Sequence, residues 1–421
     1  PLDAVPVGPG QETWNAPVAI IDLTLPAAGE WYKSLMRPVL ERGLDVFKTD
    51  FGEDIPADAV FANGMTGAEM HNLYPLLYNQ VVYEVTEQVK GAGLVWSRAG
   101  YAGSQRYPTC WSGDPAADFD SLACTIRGGL SIGLSGVPFW SNDIGAYRGL
   151  PSERLYIRWA QFGLFCPHSR CHGESQREPW FFGPRSVAIF RRYAELRYRL
   201  FPYLYSTAHE AARTGLPVMR AMPLAFPQDP NCYDKDLQYM FGPWLLVAPI
   251  YDEGDERTLY LPEGQWTNYW SGETFRGPAN IQVAAPLEIL PIFVRGGAIL
   301  PQIPPVRRIP TGPVERLVVE VYPHQASEYR FYEDGGRTSF ACLSDDEGVS
   351  FSWIGGAERP MLLRFHGVGE PPEVEVRAGE DGNAWIEVQA GMAAEGVFEI
   401  CAPPAWQGRL SLRTEAGRPR G

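Results

Sequence analysis

Asp50 closes the apolar run GLDVFKTD (43–50), and Asp114 closes RYPTCWSGD (106–114) in the same way. Lys48 stands two residues before Asp50. In an extended strand, residues two apart point to one face, so the ammonium would help keep the carboxylate ionised, as a nucleophile needs. The aspartates lie 64 positions apart (114 − 50), about the span of two βα units of roughly 30 residues each, so both could face one cleft. Two carboxylates facing a substrate from different strands suit glycoside hydrolysis: one attacks or activates water while the other protonates the leaving oxygen. A metal site would use the same residues, and the Lys48–Asp50 pair alone could equally be a structural ion pair.

Aromatic and charged residues gather at the same strand ends. Phe51 and Trp111 flank the two aspartates, as a wall for stacking a sugar face would. Arg98, Asp143 and His168 end three further strand-like runs and could supply charged hydrogen bonds to hydroxyls. Each of these alone is more often structural; their recurrence at five strand ends is the signal. Two rival motifs carry less. CPHSRCH (166–172) holds two Cys and two His but lacks the CxxC and HxxxH spacing of structural zinc sites. RGGLSIGLSG (127–136) has neither a P-loop ending nor GxGxxG, and close helix–strand packing explains it better.

The elements that must position these residues alternate. APVAIIDLT (16–24), GLDVFKTD (43–50), AGLVWSR (92–98), GVPFWSND (136–143) and FGLFCPHSR (162–170) read as buried strands, with RYPTCWSGD as a weaker sixth. Helical stretches separate them, among them 30–43 and 71–91, the latter closed by Gly91 as a C-cap. Residues 186–215 read as one long helix closed by Gly215. Repeated βα units imply a parallel sheet with its site at the strand C-termini, and a barrel is the better expectation because no nucleotide fingerprint occurs. From 216 onward strand-like pieces follow one another without helices, a β-sandwich composition, and the proline-rich 301–313 divides it into two modules. The expected domains are therefore 1–215, 216–303 and 304–421.

Composition narrows the partners. The 421 residues carry a formal net charge of −14, which disfavours nucleic acid. No apolar run approaches the roughly 18 residues of a membrane span. Seven scattered Cys show no disulfide framework and favour reduced cytoplasmic thiols. A 13% aromatic share suits flat sugar faces, or ordinary core packing. The chain opens at Pro1 and reads as a piece of a longer protein.

FKTDFGE (47–53), WSGD (111–114), IRGGLSIGLSGVPFWSNDIG (126–145) and HSRCHG (168–173) together resemble glycoside hydrolase family 31, in particular its bacterial α-xylosidase branch. The likeness runs from about Trp14 through YLPEGQW (260–266) to EILPIFVRGGAIL (288–300). It implies an α/β plus all-β chain: a (β/α)8 barrel lacking its first two strands, followed by two β-sandwich modules. It makes Asp50 the nucleophile, with Lys48 and Glu53 holding its charge and orientation, and Asp114 the general acid/base. Arg98, Trp111 and His168 would hold the sugar, with Lys48, Phe51, Trp14 and Asp143 lining the same pocket. The implied activity is a retaining, exo-acting α-xylosidase acting on xylosides or xyloglucan-type oligosaccharides, without cofactor or metal. Carboxyl groups about 5–5.5 Å apart are expected for that mechanism. An α-glucosidase or transglycosylase of the same family, or a non-catalytic carbohydrate-binding piece, is the alternative. A homo-oligomer is a further expectation of the resemblance, with no segment marking its interface.

Overall fold

The computed structural model describes residues 5–6, 19–107, 109–369, 373–378, 384–385, 388–394, 396–402, 404–405 and 407–413. Two compact units are present, one of Pro1–Gly113 with Ser135–Asn142 and one of Asp114–Leu134 with Asp143–Gly421.

In the first unit, four three-residue strands, Phe47–Thr49, Val95–Ser97, Thr109–Trp111 and Phe139–Ser141, form one parallel sheet in chain order. Helix Pro26–Glu41 starts with a proline in its first turn, where the missing N–H costs nothing, and buries Ala28, Lys33, Met36 and Leu40 along one stripe. The buried Lys33 is neutralised by Glu84 at 2.6 Å and Glu30 at 2.9 Å. Helix Tyr74–Lys90 stops at Gly91, whose φ of +77° is the left-handed C-cap the sequence implied. Met36, Leu40, Phe61, Val82, Val85 and Val95 make the core of this unit.

The run 16–24 differs from its expectation as a parallel strand. In its described part only Ala19–Ile20 is extended, and it pairs antiparallel with Val5–Pro6. Asp22 ends the run: its Oδ1 accepts the Thr24 N–H at 3.0 Å and hydroxyl at 2.6 Å, and its Oδ2 accepts the Ala62 N–H at 2.8 Å. A short acidic side chain that binds the backbone two residues on makes a turn in place of a ladder.

In the second unit, helix Phe119–Leu134 carries the glycine-rich stretch. A Cβ on Gly133 would lie 3.3 Å from Pro217 Cγ and 3.4 Å from Met219 O, so glycine lets the helix approach the strand Met219–Ala221 closely. The run 162–170 is also corrected. Its first residues finish helix Glu153–Gly163, and only Arg170–Cys171 is strand, paired in parallel with Asp143–Ile144. An apolar run does not by itself separate a buried strand from a buried helix. Residues 186–215 form two helices, Pro184–Arg199 and Phe201–Thr214, broken at Leu200 because Pro202 has no N–H to continue the ladder.

The remainder is sheet, antiparallel except where Leu317–Val321 runs parallel to Met361–His366. Six strands between Met219 and Arg295 form a single ladder. Arg158, wholly buried on helix Glu153–Gly163, ties that helix to the sheet by donating to Ala285 O at 2.6 Å and Ile289 O at 3.0 Å. Ile299–Gln302 pairs with Leu317–Val321 and so belongs to the last module, where a five-stranded and a six-stranded sheet pack face to face through Phe365 and Phe351, 5.8 Å apart edge-on. Alternating burial along Gly348–Gly355 and Met361–His366 marks the two inner faces.

Candidate active site

The C-terminal end of the strand Phe47–Thr49 is pinned from behind. Thr49 Oγ1 donates to Asn79 Oδ1 at 2.7 Å, Asn79 Nδ2 donates to Ala99 O at 3.0 Å, and the Arg98 N–H donates to Thr49 O at 3.0 Å. Just beyond this anchor lies Phe51, whose φ of +61° is left-handed. A bulky residue held there costs roughly 1–3 kcal/mol of backbone strain. The consequence is local: the Phe51 N–H turns back and donates to Asp50 Oδ1 at 3.0 Å.

Two cations complete the setting of Asp50. Lys48 Nζ donates to Oδ2 at 2.8 Å, and Arg98 Nη1 donates to Oδ1 at 3.2 Å. Arg98 Nη2 meets Glu53 Oε1 at 2.9 Å, so Glu53 orients the arginine and not the aspartate directly. Trp111, only 3% exposed, lies under the Lys48 ammonium with its ring centroid 4.0 Å away, and the Arg98 guanidinium stands 5.3 Å from the Phe51 ring. Burial pushes the Asp50 carboxyl up, but the Lys48 hydrogen bond and charge, the Phe51 amide and Arg98 together outweigh it and hold the group below the usual aspartate range. Its side chain keeps 36% of its surface exposed, so an ionised carboxylate is open to a reacting atom.

In the second unit, Asp114 is half-buried and opens the segment after Gly113. The carbonyl of Pro115 accepts both the Tyr147 and Arg148 N–H groups at 3.0 Å, which fixes the backbone beside the aspartate. Asp143 is completely buried and paired with Arg170 Nε at 2.6 Å across the parallel pair of short strands. Burial, with the charges of Arg197 and Arg170 added, pushes His168 down to about 3, so its imidazole is neutral across the physiological range. Arg197 also holds the turn before His168, donating to the carbonyls of Leu164, Cys166 and Pro167 at 2.6–2.8 Å.

Thus the structure gathers Lys48, Asp50, Phe51, Arg98 and Trp111 in one unit, and in the other pairs Asp143 with Arg170, two residues after His168. Trp14 lies outside the described residues. Asn79, Arg170 and Arg197 were not singled out by sequence. Arg170 sits inside HSRCHG and was within reach of that motif, whereas Asn79 and Arg197 lie on helices whose pattern says nothing of their partners. The CPHSRCH cysteines diverge: Cys166 Sγ donates back to Phe162 O at 3.5 Å, and Cys171 Sγ lies 3.9 Å from the Tyr156 hydroxyl. Among the described residues no group of three His, Cys, Asp or Glu is placed to hold a metal ion.

Residues 7–207 match the glycosyl hydrolases family 31 TIM-barrel domain, and residues 215–300 match the glycosyl hydrolase family 31 C-terminal domain. An α-xylosidase of Emericella nidulans is 40% identical over 302 residues, and one of Lactiplantibacillus pentosus is 42% identical over 304; each alignment takes in 69% of this chain and 39% of the relative. This chain therefore spans about two fifths of the length of those relatives. The structure of a cycloalternan-forming enzyme from Listeria monocytogenes, in complex with a pentasaccharide substrate, superposes with a TM-score of 0.89 at 29% identity, covering 97% of this chain and 42% of that one. With both family domains matched in order over most of its length, the chain belongs to glycoside hydrolase family 31.

Proposed function

We propose that this chain carries the catalytic pair of a retaining, exo-acting α-glycosidase, with α-xylosides or xyloglucan-type oligosaccharides as substrate. The observation that carries the reading is Asp50: an accessible carboxylate held ionised by Lys48, Arg98 and the Phe51 amide.

In the first step Asp50 attacks the anomeric carbon while the Asp114 carboxylic acid protonates the departing glycosidic oxygen, giving a glycosyl ester on Asp50 and the free aglycone. In the second, the Asp114 carboxylate takes a proton from water, the water oxygen attacks the same carbon, and Asp50 leaves as a carboxylate. Two inversions return the original configuration. Lys48, Arg98 and the Phe51 amide serve both steps, because they stabilise the anion that attacks and the anion that leaves. Neutral His168 is suited to exchanging hydrogen bonds with sugar hydroxyls, and burial, with the charges of Arg197 and Arg170 added, keeps it uncharged.

The xyloside preference is supported by the two relatives named as α-xylosidases. α-Glucosidase or transglycosylase action is the second reading, favoured by the likeness to a cycloalternan-forming enzyme. Xylose and glucose differ by one CH₂OH, and a hydrophobic pocket separates such substrates by only about 1–3 kcal/mol. Seven cysteines, all with free thiols, favour a reducing compartment such as the cytoplasm. Among the described residues no helix is long and apolar enough to cross a membrane.

Release of nitrophenol from the α-xyloside and the α-glucoside, measured side by side, tests the proposal. Faster xyloside turnover that Asp50→Asn abolishes is the expected result. Turnover that survives Asp50→Asn refutes the assignment of the nucleophile, and faster glucoside turnover refutes the substrate preference.

A further inference from the structure

A large open cleft in the second unit is lined by none of the residues assigned above. It occupies about 1330 Å³, beyond the roughly 300–1,000 Å³ of small-molecule pockets, and a chain of several rings would fill it better than a single compact ligand. Its walls come from the loop 226–231, the hairpin of Glu256–Asn268 with Thr274–Ala284, the turn after Ile292–Arg295 and the turn before Ala326–Glu333.

The floor is held by backbone bonds. The Arg295 N–H donates to Trp244 O at 2.9 Å, Gly296 N–H to Gln265 O at 2.7 Å and Gly297 N–H to Tyr322 O at 2.7 Å. The two glycines are required. A Cβ on Gly296 would stand 3.0 Å from the His324 ring, and Gly297 has φ +88°.

Three lining groups look for acceptors. The indole Nε1 of Trp244 and the hydroxyl of Ser327 are buried without a hydrogen-bond partner among the described residues. Arg295 lies with its guanidinium 5.0 Å from the Phe226 ring and has no carboxylate partner among the described residues, and burial alone pulls it down. Buried donors without partners each cost about 1–3 kcal/mol, which a ligand rich in oxygen acceptors would recover. Phe226, Trp244 and Phe275 add aromatic surface to the same walls. Aromatic faces beside donors in an open groove are the chemistry that binds a sugar chain, whose rings offer C–H faces and whose hydroxyls offer acceptors.

We propose that this cleft is a second carbohydrate-binding site, taking an oligosaccharide segment and holding it on the protein without cleaving it. The inference rests on the carbohydrate reading of the active site. A second hold would raise the effective concentration of a long substrate.

The test is isothermal titration of the full chain carrying Asp50→Asn, so that nothing is hydrolysed, with xyloglucan heptasaccharide and with maltoheptaose. Trp244→Phe keeps a ring but removes the N–H, and Arg276→Ala alters an exposed lining residue with little risk to folding. The expected result is a binding event that Trp244→Phe weakens roughly fivefold, as for one lost neutral hydrogen bond, and Arg276→Ala also weakens. Absence of binding, or binding that neither variant alters, overturns the inference. Nitrophenyl α-xyloside turnover by Trp244→Phe with native Asp50 separates the two readings. Normal turnover without variant-sensitive binding sinks the second site alone, whereas variant-sensitive binding without wild-type turnover sinks the active-site reading and leaves the second site standing.

Discussion

Replacing Lys48 with methionine removes one hydrogen bond and one charge from Asp50 while keeping the length of the side chain. The two groups are 2.8 Å apart, with side chains 24% and 36% exposed. Coulomb's law at that distance gives about 6 kcal/mol for an effective dielectric constant of 20 and about 1.5 kcal/mol in water. With a quarter to a third of each side chain in solvent, the screened end applies, and measured exposed pairs give about 0–1 kcal/mol. Losing the Lys48 hydrogen bond and charge should therefore raise the Asp50 pKa. The sign follows from linkage. The folded pKa of Asp50 lies below its unfolded value near 3.9, so its contribution to stability is present above that value and is lost as pH falls through the folded one. Lys48→Met should therefore be destabilised at pH 7, with the deficit vanishing in strong acid. Carboxyl ¹³C NMR titration reads the pKa directly, with Asp50 identified by its missing signal in Asp50→Asn, and urea denaturation at pH 7 and below pH 3 reads the stability. An Asp50 pKa that stays put or falls in Lys48→Met would refute the claim that the lysine sets this charge.

Proton NMR of the first sugar released should show the α-anomer before mutarotation; a first-formed β-anomer would mean inversion, with carboxyls about 6.5–9.5 Å apart. Asn79→Ala should lower stability by about 1–3 kcal/mol in chemical denaturation, because Thr49 Oγ1 loses its partner in a buried site and Ala99 O loses its donor. His168 should show no imidazolium between pH 5 and 8 by ¹⁵N NMR, since it is pushed from 6.5 down to about 3. In that window the unfolded chain binds more protons than the folded one, so this residue makes stability rise with pH from about 3 to 6.5, and a folded-state transition near 6.5 would contradict it.

Part of each unit could be read from local rules. The two-residue spacing of Lys48 and Asp50 puts both on one face of a strand, and the structure joins them at 2.8 Å. Gly91 and Gly215 end their helices with φ +77° because only glycine takes that conformation freely. The apolar runs 43–50, 92–98, 106–114 and 136–143 each hold a strand of the parallel sheet, whereas two other runs misled. Residues 162–170 are mostly the end of a buried helix and the turn after it, and residues 16–24 end in an Asp22 turn, because hydrophobicity reports burial and not the backbone conformation that achieves it.

The sequence by itself determined which chemistry was on offer, since residue type and short-range register are local properties: a carboxylate beside a lysine, a second carboxylate two βα units on, and aromatic residues next to each. Tertiary structure decided who answers whom. Arg98 comes from 48 positions away to share Asp50 with Lys48, Glu53 turns to Arg98, Trp111 slides under the lysine, and Arg197 reaches back to the turn before His168. These partnerships depend on how distant strands and helices are brought to one place, and charge–charge and hydrogen-bond energies depend on distance in space, which spacing along the chain does not specify.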